Sequence, residues 1–285
     1  MKRIFFSFVI AMLFSTVSTA QMYFETVHNG EFGVTIGGAH YFGDLNNRAA
    51  FNRPRIAAGA FFRKQYGNYV SARVSAHFAQ LGYSDIYSKS EFQRLRNLSF
   101  NTNIYEIALQ GDFNFFKYQP ENPALNFTPY VTIGIGAMNF DPYAYLDGQK
   151  YFLRQLGTEG QTSGYLGRKP YSTTTMVIPF GVGIKYNLTE KINISFEVAH
   201  RFTFTDYLDD VSKTYAGATS FQSGPLGSLS EAQRLQDRSL ELTKDGSFFF
   251  KQSQQRGFSK QKDQYLIAEM GVSFNLTSYR CPPAN

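Results

Sequence analysis

The chain has 285 residues, with 28 Lys and Arg against 22 Asp and Glu, a balance too weak and too scattered for a nucleic-acid surface. Its sole cysteine, Cys281, excludes an internal disulfide framework. Aromatic residues make up 17%, with 29 Phe and 19 Tyr but no Trp; that is high for a soluble domain without long apolar runs, and natural for a barrel that shows apolar side chains to lipid.

Residues 1–20 read as a signal peptide. Lys2 and Arg3 give a basic start, 4–14 form an apolar run, and Ser18-Thr19-Ala20 offers small residues at a cleavage site. The run is about half of the ~20 residues that a spanning helix needs. The mature chain then starts at Gln21, and losing Lys2 and Arg3 lowers the formal net charge from +6 to +4. No later stretch reaches helix-spanning length.

Eight strands follow, at 31–41, 54–63, 69–82, 103–116, 127–140, 173–186, 192–205 and 263–276. In 69–82, Val70, Ala72, Val74, Ala76 and Phe78 oppose Ser71, Arg73, Ser75 and His77. In 103–116, Tyr105, Ile107, Leu109, Phe113 and Phe115 oppose Glu106, Gln110, Asp112 and Asn114. In 192–205, Ile192, Ile194, Phe196, Val198, Phe202 and Phe204 oppose Asn193, Ser195, Glu197, Arg201 and Thr203. Period-two runs of about 14 residues exceed the ~5–6 of a soluble strand and suit a tilted membrane strand. Gly134, Gly136, Gly181 and Gly183 fall on polar-face positions; no helix signal follows either Gly-x-Gly pair, which favours small residues lining a lumen over a nucleotide loop.

The gaps 42–53, 83–102, 141–172 and 206–262 are each longer than 64–68, 117–126 and 187–191. Such alternation is the mark of long outer loops and short periplasmic turns. The fold expected is therefore all-β: an eight-stranded antiparallel transmembrane barrel over 21–276 with both termini in the periplasm of a Gram-negative cell. Residues 277–285 form a periplasmic tail. Inward positions carry Arg55, Arg63, Arg73, Lys185 and Arg201 against Glu106, Asp112, Glu197 and Glu269, which predicts a salt-bridged plug and no pore. In the last strand, Glu269, Gly271, Phe274 and Leu276 resemble the signal that barrel-insertion machinery reads.

No catalytic, metal or cofactor residues are assigned. His28, His40, His77 and His200 are scattered, without a Ser-His-acid grouping or a ligand spacing. His200 interrupts a lipid-facing row, as a bulge, an interface residue or a catalytic group. Asp206, Asp209 and Asp210 have two readings: oxygen ligands of a cation such as Ca²⁺, or partners of loop backbone, Arg and Lys. Gly43-Asp44 is a turn signal. The long gap 206–262 has a helix start at Ser230-Glu231-Ala232.

Several segments together resemble the PorG-like outer-membrane barrel family associated with type IX secretion and gliding motility. They are Tyr41-Phe42-Gly43-Asp44-Leu45-Asn46, Asn97-Leu98-Ser99-Phe100, Gly157-Thr158-Glu159-Gly160, the acidic run Asp206-Tyr207-Leu208-Asp209-Asp210, and Arg280-Cys281-Pro282. The resemblance implies a non-enzymatic barrel that anchors a periplasmic ring built of a PorK-like lipoprotein and its PorN-like partner. The remaining classes are a general structural or adhesive barrel and a lipid-modifying barrel enzyme. The partners expected are outer-membrane lipids, the ring lipoprotein and the insertion machinery, with no nucleic acid. Cys281, flanked by Arg280 and Pro282, is the candidate partner contact, because an odd cysteine in an exported chain suits an intermolecular disulfide or a reactive thiol.

Overall fold

The computed structural model describes residues 27–120 and 122–278. Within them, 28–276 form one compact unit. Ten strands run in chain order: β1 (Val27–Phe42), β2 (Arg55–Tyr66), β3 (Val70–Ser84), β4 (Ser99–Asn114), β5 (Phe127–Phe140), β6 (Tyr143–Leu146), β7 (Gln149–Phe152), β8 (Thr174–Thr189), β9 (Ile192–Thr203) and β10 (Gln264–Ser278). All but β6 and β7 are staves of a closed antiparallel barrel. Each stave neighbours the next, β10 lies beside β1, and the β3–β4 ladder closes the ring. Closure leaves no unpaired edge, which a lipid environment would penalise. No helix of the described residues is long and apolar enough to cross a membrane.

The outer wall is apolar. Ile107 and Met270 are both 67% exposed, and Phe32, Val74, Leu109, Ile133, Val182, Phe196 and Phe274 are exposed with them. Their neighbours in sequence point inward, as the two-residue period dictates. Glu31, Arg63, Arg73, Glu106, Asp112, Lys185, Glu197, Arg201 and Glu269 are all buried in the lumen. This inversion, apolar outside and charged inside, is what a lipid solvent selects.

The eight staves match the sequence expectation, with shifts at their ends. β4 begins and ends earlier than 103–116, so the periplasmic connection 115–126 is as long as the outer loop 43–54. That breaks the strict ordering of gap lengths at one place. The reason is Tyr118, fully buried, which folds back with its hydroxyl donating to Asn193 Oδ1 at 3.0 Å and stoppers the periplasmic end. β10 extends to Ser278, two residues into the expected tail. The β6–β7 hairpin lies in the third outer loop and meets β4 through Asn101 and Tyr143.

Three short helices dress the outer loops: α1 (Glu91–Arg96), α2 (Leu153–Leu156) and α3 (Glu231–Gln236). α3 forms where the sequence placed a start. Ser230 caps it through a reciprocal capping box with Gln233.

Candidate functional site at the plugged lumen and its outer cap

In the periplasmic half of the barrel the lumen is crossed by charged pairs. Arg63 donates through Nη1 to Glu31 at 2.5 Å and through Nε to Asp112 at 2.7 Å. Arg73 grips Glu197 with two bonds, 2.7 and 3.1 Å, and lies 3.7 Å from Asp112. Tyr130 adds its hydroxyl to Glu197 at 2.7 Å, while Asn193 and Ser273 donate to Glu31 at 2.7 and 2.8 Å. The Lys185 ammonium stands 5.0 and 5.1 Å from the ring centres of Tyr118 and Tyr130. Higher up, His77 lies between Glu269 (3.2 Å) and Glu106 (3.7 Å), and Glu106 also takes Arg201 and the Tyr265 hydroxyl. Buried charges survive when paired in this way.

Glycines make room for the large side chains. A Cβ at Gly183 would stand 2.6 Å from the Tyr130 ring, and one at Gly59 would stand 2.4 Å from the His77 ring. Within the two Gly-x-Gly pairs, Gly183 makes room for Tyr130 and Gly134 for Gln110, which is a spacer's role.

Two sequence assignments need correction. Arg55 is exposed and reaches the outer wall, where Nη2 donates to Asn101 Oδ1 at 3.2 Å. It is the first residue of β2, at the outer end of the strand, so its long side chain can turn from the lumen to the wall. Glu31, absent from the expected set, is a central partner; its alternation with Phe32, Val34 and Ile36 is the signal that would have found it. The polar plug also stops short of the outer end. Ala57, Ala79, Leu81, Ile104, Met138, Val177 and Ile267 turn the upper lumen apolar and continue into a core with Leu45, Leu98, Leu208, Val211 and Leu235 from the loops.

Above that layer, the segments carrying the family resemblance meet. Tyr41, at the top of β1, places its hydroxyl 2.5 Å from Asp209 Oδ2 and 3.0 Å from Asp263 Oδ1. Gly43 is required there: an added Cβ would fall 2.0 Å from Asp263 Oδ1 and 2.1 Å from the Tyr41 hydroxyl. Its carbonyl also accepts from Asn46 N, closing the expected turn. Asp44 joins three loops, its carbonyl accepting from Gln93 and Arg96 and its carboxylate from Phe258 N at 2.9 Å. Glu159 of the third loop accepts from Ser212 N and Lys213 N at 2.8 and 2.9 Å. Asp210 accepts from Thr158 and, at 2.7 Å, from the Tyr171 hydroxyl. Tyr207 stacks on Tyr171 with ring centres 4.3 Å apart. Arg256 reaches Glu159 and the Asp210 carbonyl, and Arg96 clamps Asp85 with two bonds of 2.7 Å.

Asp209 and Asp210 therefore serve a backbone N–H group, hydroxyls and an arginine. Among the described residues, no three His, Cys, Asp or Glu are grouped so as to hold a metal ion. Burial raises the carboxyl pKa of Asp209 and Asp263 well above the ordinary range, each reinforced by neighbouring carboxylates. Burial likewise pushes Asp206 up to about 7, with Asp44 adding to it, and Asp210 up to about 7 against the opposing pull of Arg256. One Tyr41 proton cannot serve two carboxylates, so the geometry calls for a proton retained on the Asp209–Asp263 pair.

His200 sits in unbroken register with Phe180 and Leu266, which removes the bulge reading. It lies between Phe42 and Phe202 with Nε2 2.6 Å from Gln264 Oε1, at the outer rim of the wall, as an interface residue does. His40 stacks on Phe51 and contacts the Ala50 carbonyl. In β10, Glu269 and Gly271 point inward while Phe274 and Leu276 face lipid. Arg280, Cys281, Pro282 and the signal segment lie outside the described residues.

A closed barrel with an apolar wall and a charged, side-chain-filled lumen is an outer-membrane β-barrel protein. More particularly, the chain belongs to the family described as domain of unknown function DUF6089, whose model matches residues 2–231. No curated protein matches it by sequence. Among solved structures, Neisserial surface protein A (NspA) is 9% identical, with a TM-score of 0.43 over 87% of this chain and 97% of that one. The N-terminal β-barrel domain of Pseudomonas aeruginosa OprF is 11% identical, with a TM-score of 0.37 over 87% and 100%. Ail of Yersinia pestis, in complex with the heparin analogue sucrose octasulfate, is 11% identical, with a TM-score of 0.37 over 87% and 99%. The membrane assignment rests on the wall and lumen of this barrel itself.

Proposed function

We propose that this protein is a sealed, non-enzymatic outer-membrane anchor that holds a periplasmic ring of a type IX-like secretion system against the membrane. The observation that carries the sealed reading is the ion-paired plug. Arg63, Arg201, Tyr118, Tyr130, Lys185 and Tyr265 are among the largest fully buried side chains, and they fill the space a channel would need. What supports the ring is the resemblance of the Tyr41–Leu45 and Asp206–Asp210 segments to the PorG-like family. In that reading the PorK-like lipoprotein, with its PorN-like partner, docks at the periplasmic end, and Cys281 is the candidate residue for a disulfide with it.

Affinity purification of the native protein from detergent-solubilised outer membranes tests this directly. The proposal expects a ring lipoprotein in stoichiometric amount, with a mixed disulfide lost in Cys281→Ser. Recovery of the barrel alone under thiol-trapping and cross-linking conditions refutes the anchor. That result would favour a general structural or adhesive barrel, whose case rests on the hydrogen-bonded cap presented to the exterior.

A further inference from the structure

Two depressions lie one above the other on the lipid-facing wall. The lower is an open groove of about 720 Å³. Its floor is Ala58, Ala60, Ala76 and Ala137, and Phe78, Tyr105 and Ile107 rise beside it. Most of the exposed large side chains on the wall are Phe, Ile, Leu and Val, so four alanines grouped together make a recess. The upper depression, about 290 Å³, is polar and cationic, with Arg53, Arg55, Tyr87, Ser84, Ser99 and Asn101 around it.

Strand register stacks the two. Ala58 pairs with Phe78 and Phe78 with Tyr105 at the level of the groove. Gly82 and Asn101, which line the upper pocket, pair four residues farther toward the exterior, about 13 Å along the strands. Arg55 is held outward by Asn101, and the Arg53 guanidinium lies over the Tyr87 ring at 4.1 Å. The ion pairs of the described residues engage other arginines and leave Arg53 and Arg55 without a carboxylate. Two uncompensated guanidiniums at headgroup height call for an anion, and guanidinium is well shaped for phosphate.

We propose that this pair of depressions binds a phosphorylated glycolipid of the outer leaflet. Its acyl chains lie in the alanine-floored groove and its phosphate meets Arg53 and Arg55. The groove draws on β2, β3, β4 and β5, neighbours spaced about 4.8 Å apart. Ser84, Ser99 and Asn101 supply hydroxyl and amide groups for sugar hydroxyls beside the charge. These groups beside the two arginines favour a phosphorylated sugar headgroup over that of a simple phospholipid.

The test is native mass spectrometry of the purified full-length protein in detergent. Three probes are titrated: bis-phosphorylated lipid A, the same lipid stripped of phosphate, and dioleoylphosphatidylglycerol. The phosphorylated lipid A should bind roughly thirtyfold more tightly than the stripped form, because two interfacial arginines act on its phosphates, and more tightly than phosphatidylglycerol, which lacks the sugar hydroxyls. Arg53→Gln with Arg55→Gln should erase the preference for phosphate. Ala76→Trp should weaken both lipid A forms together, and the heat-modifiable gel band confirms that each variant is folded. Equal binding of the phosphorylated and stripped forms, or a preference that survives the double substitution, overturns the site. Phosphatidylglycerol binding as tightly as lipid A overturns the glycolipid assignment.

Discussion

Replacing Arg63 with Met probes whether the plug is dry. Arg63 is 1% exposed and serves two carboxylates at once, Glu31 at 2.5 Å and Asp112 at 2.7 Å. Met fills similar volume but strands both charges. Breaking a buried pair by removing one partner costs about 3–5 kcal/mol. Here Asn193 and Ser273 still donate to Glu31, and Arg73 still lies near Asp112, so the low end, about 3 kcal/mol, is expected. Adding Glu31→Gln to Arg63→Met should return about 1–2 kcal/mol, because it removes one stranded charge. Urea titration in lipid vesicles, followed by circular dichroism and by the folded band on unboiled gels, measures both values; the chain has no Trp to report by fluorescence. A loss below about 1 kcal/mol for Arg63→Met would mean that water screens the pair, and the plugged-lumen reasoning would fail.

Two further predictions concern the cap and the wall. Asp206 and Asp210 titrate in the folded cap at about 7, above the ordinary aspartate value, so their contribution is full at low pH and is lost as pH rises through about 7. The protection factors of amides in 204–263, taken relative to intrinsic exchange at each pH, should therefore fall from about pH 5 to about pH 8, with a smaller change in Asp206→Asn; unchanged protection factors across that window would refute the buried-proton account. Phe274→Asp puts a charge on the lipid face, where Phe274 is 50% exposed, at a loss between near zero and a few kcal/mol depending on depth. It also removes a residue of the insertion cue. Folded barrel should disappear from the outer membrane, and a normal heat-modifiable band would count against the cue.

The barrel was legible because a lipid solvent writes its demand into every second residue. Val70 to Phe78 and Tyr105 to Phe113 alternate without interruption, and each staved position fell on the expected face. The period fails where lipid stops constraining the wall. At the outer ends of β3 and β4 the inward Tyr83 and Phe100 are apolar and buried while the outward Ser84, Ser99 and Asn101 are polar, so the contrast between the faces inverts and the boundaries shift. Arg55 lies in the same zone and escaped its parity. The cap was legible only as unusual segments. Tyr41, Asp209 and Asp263 are far apart in sequence, and no local pattern announces that one hydroxyl will meet two carboxylates. The helix at α3 was readable because its capping box is local.

The central claim is that this barrel is sealed, and single-channel recording measures that most directly. Purified protein reconstituted in planar bilayers should show no stable conductance of porin size, with Arg63, Arg73 and Tyr118 in place across the lumen. Steady, reproducible openings of porin size would contradict the plug and return the protein to a transport function.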